Sequence, residues 1–179
     1  MNPDRETSVD ALGRTSHPRI MSLEPGRLRA AFGAFPSGVV TVAARVDGQI
    51  IGLVASSFTS VSLDPPLVSF SIANTSRTWP ALCRASHLGV TVLADHHGAA
   101  ARQLAGPSDT RFDGLDVTVS DEGAVTVADG IAWFDTTIDK EVEAGDHTIV
   151  LLRLHAVAHA DRSLPLVFHR SGFGLRHPA

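Results

Sequence analysis

The rhythm of hydrophobic and polar positions changes near Gly38. Before it, Leu28, Ala31, Phe32 and Phe35 recur at helical spacing and share one face. The pattern predicts a helix over about residues 25–35. Ser22 or the Glu24-Pro25 pair starts it, and Pro36-Ser37-Gly38 stops it. After Gly38 the texture is that of strands. Residues 39–46 are β-branched and apolar. Asp47-Gly48 makes a hairpin turn, and residues 49–55 form the returning strand. Residues 58–63 alternate as a third strand. Asp64-Pro65-Pro66 breaks it, because proline has no N–H to give to a ladder. Residues 67–72 alternate again. Short helices are expected near residues 78–85 and 98–104, with a strand over 87–93 between them. Further strands are expected over 115–119, 132–142 and 147–159. In the last of these, Thr148, Val150, Leu152, Leu154, Ala156 and Ala158 form the less polar face. A final hairpin takes residues 166–169 and 173–175.

Many short strands and few helices predict a mainly β fold, a barrel or a sandwich. The missing βα alternation argues against a doubly wound sheet. Residues 1–21 are polar and aperiodic and are expected to be a disordered tail, leaving residues 22–179 as one domain.

Composition narrows the class. The 179 residues suit a single domain, and 44% hydrophobic with 19% charged residues is a folding composition. A net charge of −4 and no basic run argue against a nucleic-acid partner. Cys83 is the sole cysteine, so no intramolecular disulfide forms, as suits a reducing cytoplasm. No apolar run reaches the ~18 residues that span a membrane. The N-terminus has no continuous apolar stretch of a secretory signal. A soluble cytoplasmic protein with no membrane partner is expected.

Nucleophile elbows, P-loops, HExxH and CxxC motifs are absent. Gly172-Phe173-Gly174 is the one GxG, with no helix after it, so a nicotinamide would bind without a Rossmann fingerprint. Nine histidines invite a metal reading. On a strand, however, His155 and His159 stand about 13 Å apart, and no metal site is expected.

Four clusters carry candidate chemistry. Ala55, Ser56, Ser57, Phe58 and Thr59 open a hydroxyl-rich block that ends at the Pro-Pro corner. Small hydroxyl residues let a ligand approach the backbone, although the same residues suit a solvent-facing strand. Asn74, Thr75, Ser76, Arg77 and Thr78 lie where a strand gives way to a helix, a place that binds phosphate or is simply capped. Arg111-Phe112-Asp113-Gly114 is a loop with an anchored aromatic. Ala144-Gly145-Asp146-His147-Thr148 is a tight turn that opens a strand with an imidazole, in a ligand-facing or a structural role.

Taken in order, these motifs resemble the flavin reductase-like family, the reductase components of two-component flavin monooxygenases. The matching pieces are Pro36 to Ala43, the block from Ala55 to Pro66, Asn74 to Thr78, Arg111 to Gly114, Ala144 to Thr148, and His169 to Gly174. The resemblance implies a split β-barrel, a homodimer, and FMN or FAD bound near the dimer interface. It implies NADH or NADPH as co-substrate and a flavin-dependent monooxygenase as partner. It places Ser56, Ser57, Phe58 and Thr59 along the isoalloxazine, Asn74, Ser76 and Thr78 at the ribityl phosphate, and His147 near the nicotinamide. Arg77, Arg111 and Phe112 join the cofactor-binding set. Members often carry Met-Thr at Leu53-Val54, Asn at Thr91, and Tyr in the last hairpin, where this chain has Phe168 and Phe173. A flavin-binding electron-transfer protein and a pyridoxamine-phosphate-oxidase-like oxidase are the alternative readings.

Overall fold

The computed structural model describes residues 23–161 and 163–174. The expected tail over 1–21, Ser22 and Leu175 lie outside the described residues. In chain order the elements begin with α1 (Pro25–Phe32), β1 (Ser37–Gly38), β2 (Val40–Val46), β3 (Gln49–Ala55), β4 (Thr59–Leu63), β5 (Pro66–Ala73) and α2 (Trp79–Leu82). Then come β6 (Leu88–Val92), a 3-10 turn (Asp95–His97), α3 (Gly98–Leu104), β7 (Val117–Val119) and β8 (Val125–Val127). The chain closes with β9 (Ala132–Ala144), β10 (His147–His159), β11 (Val167–His169) and β12 (Gly172–Phe173).

Seven strands form one antiparallel sheet in the order β3-β2-β6-β9-β10-β5-β4. The sheet curls round a core that includes Val40, Val42, Leu53, Phe70, Leu88, Val90, Val150 and Leu152. Its outermost strands, β3 and β4, do not pair with each other, so the barrel is split, as the sequence predicts. On the outer side of β2 and β6, a second cluster of Val39, Leu93, Ala101 and Leu166 lies against α3. Burial on both faces is why β2 reads as a continuous apolar run rather than an alternating one.

Three expectations need correction. The first helix stops at Phe32, because the next residues must turn to bring Ser37 and Gly38 onto β11. Its apolar face is not buried by its own chain: Phe32 is 71% and Phe35 76% exposed. The helix expected over 78–85 is only the four residues of α2, too short to supply a helix-dipole anion site. The Val125–Val127 strand was not anticipated, since three residues are too few to show a period. It packs where β6 carries Gly89, whose missing side chain lets the Val125 backbone approach; a Cβ there would collide with it.

Candidate functional site

Seven predicted site residues line two cavities at opposite ends of β3, Ser56 to Thr59 in one and Arg77, Thr78 and Arg111 in the other; Ala55, Asn74, Ser76, Phe112 and His147 line neither. The first, about 760 Å³, lies past the C-terminal end of that strand. Ser56, Ser57, Phe58 and Thr59 form one wall; Arg29, Phe32, Phe35 and Phe168 stand among the residues around them. Ser57 is pinned: its Oγ accepts from the backbone N–H of Ser71 at 2.9 Å and lies 3.2 Å from the Ser71 carbonyl. This joins the block to β5. Phe58 packs on Phe134 with ring centroids 5.8 Å apart and anchors the segment to the core. Ala55, immediately before, is buried in that core. Ser56 and Thr59 are exposed, so their hydroxyls are the ones available to a ligand here.

The second cavity, about 600 Å³, lies at the N-terminal end of β3. Its lining includes Gln49, Ile51, Arg77, Thr78, Ser108 and Arg111. Arg111 organises it. Its Nε donates to the Gly106 carbonyl at 2.9 Å, and its Nη1 donates to the Gly52 carbonyl and to Thr78 Oγ1, each at 2.8 Å. Nη2 has no partner among the described residues. Thr78 accepts from Arg111 and keeps its own O–H to give. Phe112 packs onto Gly52, where a Cβ would come within 2.6 Å of the ring. Gln103 on α3 fixes this loop through its amide, which donates to the Thr110, Arg111 and Asp113 carbonyls at 2.8 to 3.2 Å.

Asn74 turns the other way. Its amide donates to the Gly145 carbonyl at 3.2 Å and accepts from Thr148 Oγ1 at 2.9 Å, so it ties β5 to the β9–β10 turn. Ser76 Oγ accepts the Trp79 N–H at 3.2 Å and retains a hydroxyl proton. His147 opens β10 beside Ala73, and its Nδ1 is bonded to Asp146 Oδ1 at 2.7 Å. That hydrogen bond, with the neighbouring imidazole charge, holds the Asp146 carboxyl below its usual range; Arg29 adds a smaller push in the same direction. Ser57 is bonded to Ser71, and Ser71 and Ala73 lie opposite Ile149 and His147 in the β5–β10 ladder, so His147 starts its strand two residues from the point where the Ser56–Thr59 wall is attached.

Sequence reasoning missed Arg29, Gln49 and Gln103, and named Phe168 only as standing in the last hairpin where family members carry Tyr. None sits in a motif, and each enters the site through a long-range return of the chain. In chemical terms, one cavity offers cationic and hydroxyl donors suited to a phosphate. The other offers hydroxyls, aromatic faces and an imidazole nearby, suited to a planar heterocycle.

A family model described as a flavin reductase like domain matches residues 32–175. A flavin reductase of Pseudomonas putida is 36% identical over 86% of this chain and 91% of its own length. The reductase subunit HsaB of a flavin-dependent monooxygenase from Rhodococcus jostii is 30% identical over 85% of this chain and 78% of its own. Among solved structures, the NADH:FAD oxidoreductase SgcE6 of Streptomyces globisporus, in complex with NAD and FAD fragments, superposes with a TM-score of 0.80 at 32% identity. That match covers 87% of this chain and 94% of the other.

Proposed function

The chain belongs to the flavin reductase like domain family, and from that membership we propose that it is an NAD(P)H-dependent flavin reductase whose reduced flavin serves a partner monooxygenase. The observation that carries the reading is the placing of the two cavities along β3. The five steps from Ile51 to Ser56 cover about 17 Å at ~3.3 Å per extended residue. That length is comparable with an extended flavin mononucleotide. The donor set fits such a molecule: Arg77, Thr78 and Arg111 for the phosphate, Ser56 and Thr59 with Phe58 for the ring system.

Bound flavin supplies the redox chemistry, taking a hydride from the nicotinamide. The protein's part is binding and orientation. Arg111 holds the phosphate end with a guanidinium already fixed by two carbonyls, so little is lost in ordering it. Ser76 and Thr78 each keep a hydroxyl proton to donate to an anion, which is worth more than a neutral hydrogen bond. Asn74 acts through the β9–β10 turn, setting the position of Asp146 and His147. Asp146 orients the His147 ring, and His147 Nε2, with no partner among the described residues, is available to a nicotinamide carboxamide. Phe32, Phe35 and Phe168 offer apolar faces at the ring end.

The test is direct. Titration with FMN and riboflavin, followed by an NADH oxidation assay with each flavin, should give saturable binding and flavin-dependent turnover. FMN should bind about ten-fold or more tighter than riboflavin, because a charge-assisted hydrogen bond contributes roughly 1.5–3 kcal/mol. Absence of flavin binding would sink the reading; equal affinity for the two would remove the phosphate assignment alone.

A further inference from the structure

A third cavity adjoins the ring end. It measures about 550 Å³ and shares Arg29, Gly33 and Ser171 with the cavity that holds the hydroxyl block. Arg170 lies on its other side. Both guanidinium-bearing residues are exposed. Among the described residues, neither side chain has a hydrogen-bond or ion-pair partner. Asp146 is the carboxylate whose charge Arg29 reaches, and it is already bonded to His147.

The backbone holds these two arginines together at a cost. Arg170 and Ser171 form the two-residue turn between β11 and β12, and both take left-handed conformations, with φ of 48° and 61°. Asparagine and glycine are the residues that take such a turn without strain. Here an arginine and a serine occupy it, and the surroundings hold them in place. The Arg170 N–H donates to the Gly33 carbonyl at 2.9 Å, and the Gly174 N–H to the Val167 carbonyl at 2.7 Å. Gly33 lies in van der Waals range of the hairpin, a Cβ there standing 3.7 Å from the Arg170 Cα. Strain of this kind persists where a position does something its neighbours enforce. What the turn achieves is to set a second guanidinium beside α1, at the mouth of the ring cavity.

We propose that Arg29 and Arg170 form a subsite for the pyrophosphate of the nicotinamide dinucleotide, whose nicotinamide meets the flavin ring held at the Ser56–Thr59 block. Two exposed cations with no ion pair among the described residues, around a hollow that shares Arg29, Gly33 and Ser171 with the ring cavity, match a group with a negative charge on each of its phosphates. The proposal rests on the reductase reading. It adds that the second cofactor is recognised by its charge at the α1–hairpin mouth, and it names the residues that do so. FAD also carries a pyrophosphate, but its first phosphate is the one assigned to the far cavity, so the nicotinamide donor is the source at this mouth.

The experiment uses the full chain loaded with FMN, whose phosphate is held at the far cavity. ADP-ribose, which carries the pyrophosphate but no nicotinamide, is titrated by calorimetry. Arg29→Ala combined with Arg170→Ala should weaken it about ten-fold or more, and Arg170→Ala alone, outside the ring cavity, should weaken it while FMN affinity holds. In turnover, the ratio of kcat/KM for NADH to that for phosphate-free dihydronicotinamide riboside should fall by a similar factor. Arg29→Lys should retain most of the affinity. If instead FAD loses affinity relative to FMN while ADP-ribose does not, the nicotinamide subsite is overturned. If neither ligand is affected, the proposal is overturned. Should the alanine pair fail to fold, salt decides: wild-type affinity for ADP-ribose should fall steeply with ionic strength, and a flat response overturns the subsite. A protein that binds ADP-ribose through these arginines yet never oxidises NADH would refute the reductase reading and leave the subsite standing.

Discussion

His147 and Thr41 show how much one side chain's partners determine. His147 commits Nδ1 to Asp146 and stands half exposed at the start of β10. Replacement by alanine should slow flavin reduction or raise the KM for NADH and leave flavin affinity close to wild type. Stopped-flow reduction of the flavin-loaded variant reads this; a normal rate at every NADH concentration would leave the ring no part in the chemistry. If His147 served only to secure the strand, thermal stability would fall first, and activity merely in proportion. Thr41 is the opposite case. It sits on β2 between Val54 and Thr91, fully buried, and its hydroxyl has no hydrogen-bond partner. Its neighbour Thr91 does have one, accepting the Val127 N–H at 3.0 Å. Burying an unpaired hydroxyl is unfavourable, and valine has nearly the same shape. Thr41→Val should therefore gain about 1 kcal/mol in urea unfolding. A lower midpoint at unchanged slope would show that the hydroxyl is paired in solution.

At the scale of elements, the 3-10 turn that links β6 to α3 depends on a buried ring. His97 Nδ1 accepts the Ala94 N–H at 3.1 Å, which fixes the turn from within. Burial lowers the His97 pKa from its ordinary 6.5, and His96 beside it pushes the same way. The folded state thus binds its proton less readily than the unfolded chain. The stability from the neutral ring is complete above about pH 6.5 and drains away as pH falls below that value. The Tm should drop between about pH 7 and pH 5, and His97→Gln should flatten that part of the profile; an identical profile would remove the latch. The strands were legible because alternation is a local property: β3 and β10 fall on the residues that the pattern marks. The end of α1 was not. Phe35 continues the helical spacing, but periodicity cannot tell a face that meets its own core from one left open. The hydroxyl block, Arg77, Thr78 and Arg111 were legible as clusters. Arg29, Phe168 and Gln103 were not, because tertiary returns bring them in, and spacing along the chain carries no record of those returns.

The whole molecule leaves apolar surface and free ladder edges on one chain. β9 pairs with β6 only through Ala132 to Thr136, and β10 with β5 only through His147 to Arg153. Among the described residues, the remainder of each long strand pairs only with the other, so backbone donors and acceptors line two open edges. Val157 stands 67% exposed on one of these stretches and Val142 on the other, while Phe32 and Phe35 cap the ring cavity. Long open edges beside apolar side chains invite association, and folded proteins cover them. The family resemblance implies a homodimer, and a second copy laid on this hairpin would cover both edges at once by two-fold symmetry. Light scattering at micromolar protein should return twice the 18.9 kDa of one chain. Placing a charge on the covered strand, as in Val157→Glu, should shift the mass toward one chain, since an unpaired charge in an interface costs several kcal/mol. Because the site is expected at that interface, flavin affinity should weaken in step with dissociation. A wild-type protein that scatters as a single chain and still binds flavin fully would show that each chain carries a complete site, and the exposed hairpin would then need another explanation.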